Sequence, residues 1–375
     1  MSTLAERIIN PEKIARTVSL IAPAGSRFTR RTREREMQAA IVSIRKAADA
    51  SVEHVYAITG LEAAHNLRDS QVLVIDRTTW AKANAQAFRI MAAPFIEPLF
   101  ASLESKNPKS IPLASSIVSA EIGAVLSYLS TAVLGQYDPY AALAGYGPAG
   151  GRLMLVAPNI VSLEKELNLE PKDFYLWVCL HEQTHRVQFA AAPWLREHFL
   201  SLISQMGEHT AANIEISKLG GLGRNLNSDS DNDSAIAQPT EEIRRIGAEL
   251  NAVMSLLEGH ANVVMDAIDS SIVPSVKTIR QRFDRRSSIQ KIVRRALNKL
   301  LGMEKKLAQY KNGQKFVQHI VDQRGMEEFN RVWERAENLP TEAEIHDPDA
   351  WIARVLDGKT NEKSTVETPA EQKEN

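Results

Sequence analysis

Between Pro171 and Phe189 the sequence predicts one helix, and that helix carries two histidines on its apolar side. Phe174, Trp177, Val178, His181, His185 and Gln188 recur at three- and four-residue intervals, so they share one stripe. Such a stripe faces a core, where two unpartnered imidazoles are costly. The fold must therefore bring the histidines a partner. The run His181-Glu182-Gln183-Thr184-His185 is an H-E-x-x-H pattern, in which residues four apart can reach one metal ion. Glu182 stands about 100° round the helix from His181, beside that ion and free to hold a water.

The rest of the composition narrows the chemistry. With one cysteine in 375 residues, the chain can form neither an internal disulfide nor a thiolate-rich metal site. Cys179 lies two before His181, about 200° round the helix, and reads as a small core residue facing away from the metal. Two neutral imidazole nitrogens suit Zn²⁺, and a third protein ligand would leave an open, catalytic coordination position. The long helix that Thr240 caps, running to about Ser270, offers that ligand. Glu258 falls inside its apolar stripe, between Met254 and Ala261. A carboxylate there is costly unless it binds a metal or pairs with a buried arginine. His260, near the stripe edge, is the rival ligand. Gly259 would let another backbone come close.

Helix dominates the remaining pattern. Glu34 to Ala50, Thr79 to Phe100 (broken by Pro94 and Pro98) and Ser115 to Leu134 have helical spacing, the last ending at Gly135 before a glycine-rich loop. Asn159 is placed to cap a short helix ending near Leu169. Gln71 to Asp76 and Arg152 to Ala157 read as strands. The polar residues 220–238 read as a flexible loop within one catalytic unit, residues 1–357, with lobes of about 1–219 and 239–357. Residues 358–375 read as a disordered tail.

No start resembling a secretory signal and no uninterrupted apolar span are present, which points to a cytoplasmic protein away from membranes. Lys277 to Lys311 holds twelve basic residues against Asp284 and Glu304. No nucleic-acid motif accompanies this run, and a solvated helical face explains it better than nucleic-acid contact.

A distant helix bearing Glu258-Gly259-His260-Ala261 after an H-E-x-x-H helix resembles the glutamate zincins. More closely, the chain is similar to a zincin-like hydrolase family common in actinobacteria, some of whose members are associated with deazaflavin coenzyme biosynthesis. The matching segments are Leu134-Gly135-Gln136-Tyr137-Asp138, Val156 to Ile160, Leu180 to Phe189, Pro193-Trp194-Leu195, Leu256 to Asp266 and Gln309-Tyr310. The resemblance implies a mainly α, zincin-like metallopeptidase-type fold with a small β element. It also implies zinc on His181, His185 and Glu258, with Glu182 as catalytic base, and, by analogy with zincins, an edge strand at Arg152 to Ala157 on which an extended peptide could add. Glutamate zincins often carry an acidic supporting residue four after the ligand glutamate; here that position is Asn262, and Asp266, a turn further on, is the candidate substitute.

The resulting expectation is a zinc-dependent, peptidase-like hydrolase acting on a peptide or a small amide or ester. An oxyanion donor would come from His260, Tyr137 or Tyr310. The alternative is a catalytically inactive zincin-fold binding or regulatory protein, touching nucleic acid through the basic 277–311 region.

Overall fold

The computed structural model describes residues 5, 9–21, 30–106, 111–213, 240–285 and 310–358. In chain order these form α1 (Pro11–Ile21), α2 (Arg30–Thr59), β1 (Gln71–Ile75), α3 (Arg77–Lys106), α4 (Ile111–Leu129), β2 (Gly135–Asp138) and β3 (Arg152–Val156). Then follow α5 (Ala157–Leu167), α6 (Pro171–Ala191), α7 (Leu195–Asn213), α8 (Glu241–Ala267), α9 (Val276–Arg285) and α10 (Tyr310–Phe329), with short helical turns beyond. The fold is mainly α with one small sheet, as expected. Residues 220–238, read as a flexible loop, and nearly all of the tail after 357 lie outside the described residues.

The sheet has the order β1-β3-β2, with β1 parallel and β2 antiparallel to β3. Every residue of β3 is buried, as a strand paired on both sides and covered on both faces requires. Its side chains alternate between two cores. Leu153 and Leu155 join the large core that also holds Leu180, Val187, Leu256 and Phe316. Met154 and Val156 join a smaller core with Ile14, Trp80 and Leu126 from α1, α3 and α4. The edge-strand reading of Arg152 to Ala157 is thereby corrected. β3 is central, and the edges are β1 and β2, the latter in a stretch read as the start of a loop.

Three other local expectations shift, each for a tertiary reason. Helix α3 runs on through Pro94 and Pro98 rather than breaking there. The proline turn is held by α7, whose Gly207 sits so near that an added Cβ would lie 2.7 Å from Pro94 Cβ. Helix α4 ends at Leu129, five residues before the expected end, because the chain must turn to pair β2 with β3. Asn159 is no N-cap. The chain passes directly from β3 into α5, so the cap is Val156, with Pro158 in the first turn. The Asn159 amide instead donates to the carbonyls of Ser130 (2.8 Å) and Val133 (2.6 Å), and its Oδ1 accepts from Arg77 Nε at 2.6 Å. One buried side chain thus ties down the turn that leads into β2.

Helix α8 begins as its sequence predicts. Thr240 Oγ1 accepts from the Ile243 N–H at 3.3 Å, and Glu241 and Glu242 occupy the positive end of the helix dipole. Its apolar side packs against α6 on one flank and α10 on the other. The α10 contact is backbone to backbone. A Cβ at Gly259 would overlap the Gly313 carbonyl, and one at Gly313 would overlap that of Ser255. Arg280 on α9 donates to the Met265, Asp266 and Ile268 carbonyls, which closes the C-terminal end of α8. Arg282 does the same for α5 at Leu167 and Asn168. These two cations of the basic stretch cover helix ends, while residues 286–309 lie outside the described residues. Among the described residues no helix is long and apolar enough to cross a membrane.

Candidate metal centre

Helices α6 and α8 meet where the sequence placed its candidate metal ligands. On α6 the His181 and His185 rings stand edge to face, 5.0 Å between centroids. Glu258 reaches across from α8, with its Oε1 3.7 Å from His185 Nε2. One ligand atom from each of His181, His185 and Glu258 lies within 4.8 Å of the other two. Two ligands held at about 2.1 Å on a tetrahedral zinc ion would stand about 3.4 Å apart, so the donor set and its spacing fit that ion. Burial pushes His181 down to about 4, assisted by His185 and opposed by Glu258, which keeps its imidazole neutral as a ligand must be.

Glu182 is buried beside this group, at the wall of a cleft of about 410 Å³. Burial, with the Glu258 carboxylate adding to it, pushes its carboxyl up to about 8 in the metal-free protein. The edge strand β2 comes unusually close here. A Cβ on Gly135 would lie 2.6 Å from Glu182 Cγ and 3.0 Å from its Oε1, so a side chain there would have to displace the carboxylate. In the antiparallel register, Leu134 faces β3, its carbonyl accepting from the Val156 N–H at 2.8 Å. The peptide groups of Gly135 therefore point to the open side, into the cleft. Trp177 and Phe283, 5.0 Å apart, also line the cleft, with Val178 and Met265.

The supporting residues named from sequence are distributed differently. Asp266 does line the cleft, where its Oδ2 accepts from Gln314 Nε2 at 2.6 Å; it bonds to no histidine. His260 is fully buried on the far side of α8, stacked on Phe329 (5.3 Å) and beside Trp333 (5.4 Å), and has no access to the cleft. Tyr137 donates its hydroxyl to the Gly150 carbonyl and packs its ring on Phe189, so the structure does not bring it to the cleft as an oxyanion donor. Tyr310 opens α10, and its side chain lies outside the described residues. Cys179 is buried against α2, its Sγ 3.8 Å from the Ile44 carbonyl, facing away from the histidines as expected.

Two features went unread in the sequence. Gly135 looked like a helix stop, and only the sheet shows that a side chain there would press on Glu182. Gln188 was visible on the α6 stripe three residues after His185, but its partners come from α8.

The residues converging here explain the results of comparison with known proteins. A family model for zincin-like metallopeptidases matches residues 17–352. A solved structure described as "a putative hydrolase with a novel fold from Chloroflexus aurantiacus" is 30% identical, covers 94% of this chain and 100% of its own, and superposes with a TM-score of 0.64. A search of curated proteins returned no match. The match over most of its length shows that the chain belongs to the zincin-like metallopeptidase family.

Proposed function

We propose that the protein is a zinc-dependent hydrolase of peptide-like amide bonds, with His181, His185 and Glu258 as the metal ligands and Glu182 as the general base. The observation that carries this reading is the convergence of three ligand atoms from two helices beside a carboxylate that opens onto a cleft. A zinc ion supplies a water acidified towards a pKa of about 7 and a Lewis acid for the scissile carbonyl. Glu182 accepts the proton of the attacking water at its carboxylate and returns it to the leaving nitrogen as the C–N bond breaks. Water is consumed, and an acid and an amine result.

The chain's own contribution is placement. The open peptide groups of Gly135 on β2 are arranged to pair with an extended substrate by strand addition, with the bond to be cut laid past Glu182. The Trp177 and Phe283 wall would take an apolar group and exclude water from the carboxylate. A purely structural metal site would have no use for a carboxylate poised on an open cleft, so the enzymatic reading is preferred over an inactive binding protein.

Metal analysis of purified protein tests the centre first. One equivalent of zinc is expected, lost in His185→Ala. Glu182→Gln should keep the metal and lose cleavage in a peptide-library screen. Absence of zinc under zinc-replete conditions, or undiminished cleavage by Glu182→Gln, would refute the proposal.

A further inference from the structure

Gln188 uses both ends of its amide beside the site. Its Oε1 lies 2.9 Å from His185 Nδ1. Its Nε2 donates to the Leu257 carbonyl at 2.9 Å and lies 3.0 Å from His260 Nδ1. The side chain is fully buried, so these three partners satisfy it without solvent. They also belong to both helices of the metal centre: His185 is on α6, and Leu257 immediately precedes Glu258 on α8.

The hydrogen-bond chemistry along this chain has one self-consistent solution. A backbone carbonyl can only accept, so the Gln188 atom facing Leu257 must be the NH₂ group. That choice fixes the other end of the amide as the carbonyl oxygen, which can only accept from His185. His185 Nδ1 must then carry a hydrogen, which leaves the lone pair on Nε2, the nitrogen that lies 3.7 Å from Glu258 Oε1. At the far end the second amide hydrogen needs an acceptor, so His260 presents a bare Nδ1 and keeps its hydrogen on Nε2. Among the described residues that Nε2 has no hydrogen-bond partner, in a ring packed between Phe329 and Trp333. A neutral donor against aromatic rings is tolerable there, whereas an imidazolium would be costly.

We infer that Gln188 is a positioning residue for the metal centre: anchored on the Leu257 carbonyl and on His260, it holds His185 in the tautomer and ring orientation that turn Nε2 towards Glu258. His260, which the sequence offered as a ligand or an oxyanion donor, serves in this arrangement as the buried acceptor that keeps the amide from rotating. Outer partners of this kind are worth about 10–100-fold in metal affinity at zinc–histidine centres. The inference rests on the proposed metal site, but its structural half concerns the metal-free protein alone.

The test is long-range ¹H–¹⁵N correlation of ¹⁵N-histidine-labelled, zinc-free protein at a pH where the imidazoles are neutral, together with zinc affinity by chelator competition. In the wild type, His185 should appear as the Nδ1–H form and His260 as the Nε2–H form. In Gln188→Met, which keeps the length and loses the amide, His185 should move towards the Nε2–H form that free imidazoles prefer. His181 should be unmoved, which a general loss of packing would not allow. Zinc affinity should fall about 10–100-fold. An Nε2–H form of His185 in the wild type overturns the inference, and so does a Gln188→Met protein with unchanged tautomer and affinity. If that variant fails to fold, the wild-type tautomers alone decide. If the wild type binds no zinc, the proposed function falls, while those tautomers still decide the role of Gln188.

Discussion

Substituting alanine at two glycines of α8 should move stability in opposite directions, and the size of each effect follows from what surrounds the missing Cβ. At Gly259 the added carbon would lie 2.8 Å from Gln314 N and closer still to the Gly313 carbonyl, all backbone atoms of α10. Carbon contacts are comfortable at about 3.5–4.0 Å, so α8 and α10 would have to separate by about 1 Å. No flexible side chain is available to yield. Overpacking of this sort costs about 1–3 kcal/mol, and the rigidity of both partners argues for the upper end. Alanine recovers about 1 kcal/mol of helix propensity, leaving a net loss of about 2 kcal/mol. At Gly247, on the same helix, the nearest atom to an added Cβ is Met206 Cε at 3.7 Å, an ordinary contact. There only the propensity term remains, and alanine should stabilise by up to about 1 kcal/mol. Urea unfolding followed by circular dichroism, with equal slopes for the variants, reads both differences. A Gly259→Ala protein as stable as the wild type would show that the helices are not in backbone contact, and would refute the account of how α8 is seated.

Other consequences are as specific. Gly135→Ala puts a Cβ 2.6 Å from Glu182 Cγ and should leave zinc content intact while lowering turnover by about 100-fold, since a displacement of about 1 Å at the reacting groups costs that much; unchanged kcat would show that β2 does not border the reaction. Asp138 Oδ2 accepts from Arg152 Nε at 2.9 Å in a buried pair, so Asp138→Ala should cost about 3–5 kcal/mol in chemical denaturation. The Asp138→Ala, Arg152→Met double variant should lose less than the two single losses added together, and simple additivity would argue against coupling. The Cys179 thiol is fully buried, and burial pushes its pKa well above the usual thiol range. A thiol-reactive dye should therefore label it only after unfolding, and prompt labelling of the native protein would contradict its placement against α2.

Much of this protein was written locally. An apolar stripe with histidines four apart specifies a helix and its buried side, because helical periodicity is a property of neighbouring residues. The same holds for Thr240 capping α8 and for Glu258 standing out on an apolar face. Burial cost demanded partners for these groups but left His260 and a buried arginine as rivals, and it was the family resemblance that joined His181, His185 and Glu258 into one set. What the sequence could not supply was which face met which. The Pro94 turn packs on Gly207 of α7 within a helix that continues through both prolines, and Gly135 belongs to a strand because β3 lies beside it. The expected edge strand became the central one, since strand order depends on contacts between segments far apart in the chain. His260 left the site for the same reason: it stands about 200° round α8 from Glu258, and only the packing of Phe329 and Trp333 against that side shows which of the two reaches the His185 ring. The sequence by itself determined the chemistry this chain can hold, since residue types and their helical phase are local. Only the tertiary structure decided how that chemistry is aimed, because Gly135 beside Glu182 and Gln188 between His185 and Leu257 are contacts that exist only after separate helices and strands have packed.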